Sequence, residues 1–325
     1  MKALVYDGVE TLGFRDVPDP AIPDGEHLIK VEAVGICGSD MHAYLGHDAR
    51  RAAPLILGHE AAGVIVGGTM DGRRVTVNPL VTCGTCAACS SGRENLCPKR
   101  QIISMQPREG AFAQYIAMPE NNLVTVPQDV SLAHAALAEP LAVSWHAVRL
   151  ALEALHLGME RRALVIGGGA IGLAAALALR AMGVGNVTIV EPNAARRAFL
   201  IALGEQTVAE VVGEYPVVID AVGYAATRAT ASAAVQAGGV MAHVGLGEDA
   251  GGLDVRRMTL QEITFIGTYT YTAKDFRDTA AAIFDGRLGS LDWCQHRPLS
   301  EGAEAFAALR AGQVAEPKII LTPWA

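Results

Sequence analysis

Ala163-Leu-Val-Ile-Gly-Gly-Gly-Ala-Ile-Gly-Leu-Ala-Ala-Ala176 joins a four-residue apolar run to three glycines and an alanine-rich stretch that continues to Met182. The order reads as strand, tight turn, helix. Gly167, Gly169 and Gly172 fit G-x-G-x-x-G, a pattern that carries meaning only in this strand-to-helix context. Gly167 permits the tight turn, Gly169 lets backbone approach a pyrophosphate, and Gly172 lets the helix pack close to the strand. The helix start at Ala170 and Ile171 offers unpaired N–H groups and a partial positive charge to phosphates. Glu191 ends the next strand-like run, 19 residues beyond Gly172. Its carboxylate can accept ribose hydroxyls and would repel a 2′-phosphate, which favours NAD over NADP. Arg196 and Arg197 follow closely, and either can instead pair with a phosphate.

Outward from this unit, Val187-Thr-Ile-Val190, Val217-Val-Ile-Asp220 and Val240 to Val244 are further short apolar runs. Helix-like alanine-rich stretches such as Ala225 to Ala237 lie between them. Alternation of this kind predicts a doubly wound parallel sheet with helices on both faces. The first 120 or so residues differ. Leu28-Ile-Lys-Val-Glu-Ala-Val34 and Ala61 to Val66 are short, β-branched and broken by Gly and Pro, which predicts a β-rich region. Near the end, Glu301 to Arg310 reads as a helix and Lys318 to Leu321 as a strand.

The length of 325 residues suggests two domains, and 51% apolar residues supply real cores. A net charge of −8 without a basic run excludes nucleic acid as an expected partner. Met1-Lys2 leads directly into a strand-like run, so no signal peptide is expected. The apolar stretch Ala170 to Ala181 is too short to span a membrane, and a cytoplasmic location follows as the default.

In a reducing compartment, six cysteines read first as metal ligands or catalytic groups. Cys83, Cys86, Cys89 and Cys97 form C-x2-C-x2-C-x7-C in a Gly- and Ser-rich loop, a set that closes a structural tetrahedral zinc site. A ferredoxin run competes, but it spaces its last cysteine by three residues. Disulfides fit the compartment poorly. Cys294 stands apart and reads as a buried or free thiol.

A catalytic zinc needs about three protein ligands and one open position. Cys37, His59 and a glutamate, Glu60 or Glu139, would supply mixed S, N and O donors suited to zinc. By spacing alone, His59 reads equally as a satisfied core histidine and Glu139 as a surface or helix-capping acid.

Five motifs in order carry a resemblance over nearly the whole chain: Gly-Ile-Cys-Gly-Ser-Asp-x-His at 35–42, Gly-His-Glu-x-x-Gly at 58–63, the four cysteines at 83–97, Glu-Pro-Leu at 139–141 and the glycine loop at 167–172. The chain resembles the zinc-containing medium-chain dehydrogenase/reductase superfamily, and within it the sorbitol (polyol), threonine and sugar-acid dehydrogenase branch. The resemblance implies a GroES-like β-barrel catalytic domain at 1–144 and 284–325. A Rossmann NAD-binding domain at 145–283 is then inserted into it, with the active site between them. It implies a catalytic zinc on Cys37, His59 and Glu60, with Glu139 ligating directly or through water, and a structural zinc on the four-cysteine loop. It further implies Ser39 as first acceptor of the substrate proton and His42 as the group passing it to solvent, Ser39 otherwise being a turn residue and His42 an exposed helix histidine.

The expected activity is hydride transfer from a secondary alcohol to NAD, giving a ketone. The alternative is a zinc-stabilised nucleotide-binding sensor or scaffold without that activity. Arg108, in Gln106-Pro-Arg-Glu-Gly110, resembles a mouth-of-site segment of sugar-acid dehydrogenases. It reads either as a fork for an anionic substrate group or as a solvated loop arginine. Thr264 to Tyr271 reads as a last sheet strand whose edge, in relatives, pairs across a two-fold axis, so a homodimer or homotetramer is expected. The chain departs from the family in its abbreviated segment from Gly204 to Asp220, where a strand–helix unit is expected to be stunted or missing.

Overall fold

The structure, a computed structural model, describes residues 1–325. The chain divides into two compact units, Met1–Glu139 with Thr272–Asp285 and Leu291–Ala325, and Pro140–Tyr271 with Gly286–Ser290. The helix Ala170–Ala181 thus lies in the second unit, whereas the helix Ala273–Phe284, which falls almost wholly within the expected bounds 145–283, groups with the first. No helix is long and apolar enough to cross a membrane.

The first unit is built on β-strands. Its largest sheet runs in the order Leu123–Thr125, Arg74–Val77, Glu60–Val66, Glu26–Gly35, Lys318–Thr322, Cys294–Pro298, and Tyr115–Pro119 also pairs with Glu26–Gly35. The last two strands of that order are parallel and are joined through the helix Gly302–Arg310. That connection brings residues near the end of the chain against the strand leading into Cys37. The core is apolar and includes Leu4, Ile29, Leu57, Phe112 and Phe306, with the Phe112 and Phe306 rings edge to face at 5.9 Å.

The second unit is a six-stranded, all-parallel sheet. Numbered along the chain, its strands lie in the order 3-2-1-4-5-6: Thr207–Val208, Asn186–Val190, Arg162–Ile166, Tyr215–Asp220, Val235–His243, Thr264–Gly267. The strand order reverses between Arg162–Ile166 and Tyr215–Asp220, and ligands bind beside the carboxyl ends of strands at such a point. Tyr215–Asp220 is buried at every position, as a strand covered on both faces must be.

The abbreviated segment is indeed stunted. Thr207–Val208 is two residues long, and no helix intervenes before Tyr215. A full-length strand would require a return path along its whole length; two residues do not. The helix expected over 225–237 stops at Ala234, and Val235 already pairs with Tyr215. Val235 is β-branched and Gly238 has φ +72°, so tertiary pairing and a glycine break override the alanine-rich pattern.

Candidate functional site

Cys37 follows the strand Glu26–Gly35 and caps the short helix Gly38–Tyr44. Asp40, fully buried on that helix, accepts the Cys37 N–H at 3.0 Å and the Gly58 N–H at 3.2 Å. The same carboxylate stands 3.4 Å from His59 Nδ1. Ser104 Oγ lies 3.4 Å from that nitrogen as well. With Nδ1 turned to Asp40 and Ser104, Nε2 is the nitrogen left for a metal, and the carboxylate behind the ring fixes its orientation.

Glu60 opens the strand Glu60–Val66 and is completely buried. Its carboxylate lies flat against Gly35, where an added Cβ would stand 1.9 Å from Glu60 Oε2. That close approach explains a glycine two residues before Cys37. Lys318 Nζ, also buried, donates to both Glu60 oxygens at 2.6 and 2.7 Å and to Ile36 O at 2.9 Å.

The donor atoms of Cys37, His59 and Glu60 lie within 4.8 Å of one another. Burial opposes charge on the His59 ring, yet Asp40 and Cys37 outweigh it and raise its pKa well above the ordinary value. Burial likewise opposes the Lys318 cation, and Glu60 and Cys37 outweigh it there too. Asp40 is held below the usual carboxylate range, because His59 and Arg51 overcome the penalty of burial. A buried pocket that favours positive charge, with one sulfur, one imidazole and one carboxylate facing each other, fits a zinc ion.

Glu139 is buried in the first turn of the helix Ala138–Ala154 and lies outside this trio, though its charge acts on Lys318. Ser39 and His42 share the short helix that Cys37 caps. Ser39 is half-buried and its Oγ accepts from Arg51 Nη2 at 3.2 Å, while His42 is exposed.

Cys83, Cys86, Cys89 and Cys97 converge with all thiols free. Sulfur separations are 3.5 Å for Cys86–Cys89, 3.5 Å for Cys83–Cys97 and 3.9 Å for Cys83–Cys89. Four sulfurs about 2.3 Å from one zinc stand about 3.8 Å apart, so the loop already has the dimensions of a closed tetrahedral site. The Thr85 and Cys86 backbone N–H groups pull the Cys83 thiol down to about 5. Burial and the neighbouring sulfurs push Cys89 up to about 11. A divalent cation resolves that mutual repulsion.

The glycine loop has the expected form. Gly167 has φ +98°, and the helix Ala170–Ala181 starts directly after Gly169. A Cβ on Gly172 would meet Gly167 O at 1.8 Å, whereas one on Gly169 would meet nothing within 4 Å. The Glu191 carboxylate accepts from Gly168 N at 2.9 Å and Asn193 N at 2.8 Å, which locks it beside the loop. Arg196 lies in the first turn of the next helix, its N–H bonded to Asn193 Oδ1. Arg197 Nη1 is committed to the carbonyls of Glu191 and Pro192.

Arg108 does not present a free fork. Nη1 and Nη2 bind Glu26 at 3.2 and 2.7 Å, and Nε binds Gln101 at 2.8 Å. Its charge is matched by the Glu26 carboxylate, and it ties its own loop to the starts of two strands at Glu26 and Gln101. Cys294 lies opposite Lys318 in register, and burial pushes its thiol up to about 12, which makes it an inert thiol.

Sequence reading missed Asp40 as the partner of His59, and the site contacts of Arg51, Ser104 and Lys318 altogether. Lys318 alone left a signal, a lone cation heading the apolar run Ile319-Ile-Leu321.

Comparison with known proteins agrees with this geometry. Residues 23–128 match the alcohol dehydrogenase GroES-like domain, and residues 170–285 match the zinc-binding dehydrogenase domain. The chain is 38% identical to sorbitol dehydrogenase of Bacillus subtilis (strain 168), over 83% of this chain and 82% of that one. It is 32% identical to L-galactonate-5-dehydrogenase of Escherichia coli (strain K12), over 90% and 89% of the two. The crystal structure of acetophenone reductase from Geotrichum candidum in complex with NAD superposes with a TM-score of 0.87 at 26% identity, covering 99% of this chain and 97% of that one. A cation-favouring Cys–His–Glu pocket, a four-cysteine loop and a glycine loop at a sheet switch point, matched in both halves, make the chain a member of the zinc-binding dehydrogenases of the medium-chain superfamily.

Proposed function

We propose that this protein is a zinc-dependent, NAD-linked dehydrogenase that oxidises a secondary alcohol of a polyol or sugar acid to the ketone. The single observation that carries the reading is the convergence of the half-buried Cys37 with the buried His59 and Glu60, their donor atoms within 4.8 Å of one another. Its sorbitol and L-galactonate dehydrogenase relatives support the substrate class, and the NAD-bound neighbour with the locked Glu191 carboxylate supports the cofactor. A sensor or scaffold would need only the four-cysteine loop, so the trio weighs against it.

Cys37 and His59 would hold the catalytic zinc with one glutamate. Glu60 is the glutamate within reach of Cys37 and His59 and is steadied there by Lys318, while Glu139, whose charge also acts on Lys318, would join directly or through water. Cys83, Cys86, Cys89 and Cys97 would hold the structural zinc and brace their loop. When bound, zinc supplies Lewis acidity that makes an alcohol easier to deprotonate, and the dinucleotide supplies the hydride acceptor. Ser39 would take the alcohol proton, and His42, exposed one turn on in the same helix, would pass it to water. Gly167, Gly169, Ala170, Ile171 and Gly172 cradle the pyrophosphate on backbone N–H groups.

Six free thiols support a reducing compartment such as the cytoplasm. The edge strand Thr264–Gly267, with Phe265 39% exposed, supports pairing with a second copy into a homodimer or homotetramer.

The test joins metal analysis to turnover. Two zincs per chain are expected, falling to one in Cys37→Ala. NADH should form from NAD with members of a panel of polyols and sugar acids. No turnover across the panel with both zincs bound would sink the proposal.

A further inference from the structure

Arg51 lies in the loop after the helix Gly38–Tyr44, and its side chain is only 2% exposed. All five of its N–H donors are engaged. Nε donates to Ser104 O at 3.0 Å. Nη1 donates to Ser39 O at 3.1 Å and to Asp48 Oδ2 at 2.8 Å. Nη2 donates to Ser39 Oγ at 3.2 Å and, longer, to Ser104 Oγ at 3.5 Å. One guanidinium therefore grips both oxygens of Ser39 and both oxygens of Ser104. Ser39 is two residues from Cys37, and Ser104 lies against His59. Ser104 also sits at φ +70°, a backbone state that a non-glycine residue holds only when its surroundings impose it.

We propose that Arg51 is a positioning residue for proton transfer: by donating from Nη2 to Ser39 Oγ, it fixes that hydroxyl as a relay with one acceptor site and one donor. The inference rests on the reading of Ser39 as acceptor of the substrate proton. A serine hydroxyl has two lone pairs and one hydrogen, and it normally rotates among three wells. Arginine has no acceptor and keeps its charge, so it occupies one Ser39 lone pair in a fixed sense. What remains is one lone pair and one O–H. The alcohol O–H bond breaks as its proton forms a new bond at that lone pair, and the O–H already on Ser39 breaks as its proton leaves for water or His42. Ser39 ends as it began, a neutral hydroxyl. A lysine, a point charge with a single nitrogen, cannot serve both serines with the same planar fork.

The experiment compares Arg51→Met, Arg51→Lys, Ser39→Ala and the Ser39→Ala/Arg51→Met double variant, all zinc-loaded, with D-sorbitol and NAD as probes. Zinc per chain, melting temperature and NADH binding by fluorescence are read beside kcat, KM and the solvent deuterium isotope effect. Expected is a kcat about 10- to 100-fold lower in Arg51→Met, an intermediate loss in Arg51→Lys, and a larger isotope effect. KM for NAD, NADH binding and two zincs per chain should be unchanged. In the Ser39→Ala background, Arg51→Met should cost no more than about twofold further, because residues acting as one unit are not additive. Additive losses would overturn the proposal, and so would a wild-type kcat in Arg51→Met. Loss of zinc or of the native melting transition in both Arg51 variants would overturn it too, leaving Arg51 a plain brace. A fully active Ser39→Ala, or no sorbitol or other polyol oxidation by the zinc-loaded wild type, would instead sink the reading beneath it.

Discussion

Gly172→Ala and Gly169→Ala are three residues apart in one loop, yet they should fail in different ways. A Cβ on Gly172 would stand 1.8 Å from Gly167 O and 2.8 Å from Gly167 C, both backbone atoms. Ordinary contact begins at 3.4 Å. The helix Ala170–Ala181 would have to withdraw by roughly 1.5 Å from the sheet it packs on, although its Leu173, Ala174 and Leu179 are essentially unexposed. Overpacking of this kind costs about 1–3 kcal/mol, and the upper end applies because neither partner atom can rotate away. At about 2–4 °C per kcal/mol the second unit should melt roughly 6–12 °C earlier. Gly169 has φ −74° and open space at its Cβ position, so alanine there should change stability by no more than about 1 kcal/mol, the scale of a helix-cap effect. That open space is where a pyrophosphate must come close to backbone. The alanine methyl should weaken NADH binding about 10- to 100-fold, or about 1.4–2.8 kcal/mol. Calorimetry reads the first effect and NADH fluorescence titration the second. If Gly169→Ala melts as wild type and binds NADH with wild-type affinity, the loop is not the pyrophosphate cradle. If Gly172→Ala melts within a degree or two of wild type, the close approach is not what this glycine serves.

Other perturbations follow from the same contacts. Lys318→Met leaves Glu60 buried with no cation, and urea unfolding should show a loss of about 3–5 kcal/mol, largely recovered by adding Glu60→Gln. Arg108→Ala unpairs the buried Glu26 carboxylate and should cost about 1–2 kcal/mol after allowance for the partly exposed arginine, with kcat/KM for anionic and neutral substrates unchanged; a selective loss on sugar acids would restore the clamp. At Asp220 burial works to raise the pKa, but His243 and the Gly223 and Val222 N–H groups outweigh it and hold it below the ordinary value. A depressed folded pKa means stability present above an unfolded value near 3.9 and lost as the pH falls through the folded one. Denaturant titrations from about pH 3 to 6 should therefore show a flatter acid limb in Asp220→Asn than in wild type. Cys89→Ser should lower zinc content by one per chain and open residues 83–97 to proteolysis while NADH affinity stays unchanged; retention of both zincs would refute a four-sulfur site.

The features legible in the sequence are those whose cause is local. Gly167, Gly169 and Gly172 act on a turn and a helix start within six residues, so their spacing alone announces strand, loop and helix. Cys83 to Cys97 likewise lie on one loop, and the four sulfurs meet because the intervening chain is too short to part them far. Even the stunted strand at 207–208 was visible as missing length. For Cys37, His59 and Glu60, donor chemistry left the set open and motif resemblance selected it, because a helix cap, a loop and a strand start supply the three groups. What no spacing discloses is which charge a buried charge meets. Lys318 finds Glu60 across 258 residues, Arg108 finds Glu26 across 82, and Arg51 finds Ser104 across 53. The sequence alone determined two domains, a dinucleotide loop and a four-cysteine site, since steric and spacing rules act over a few residues. The tertiary structure decided that Arg108 pairs with Glu26, that Glu60 is held by a lysine, and that an arginine grips Ser39. Electrostatic pairing is settled by whichever elements the fold brings together, and that choice is made by the packing of distant strands.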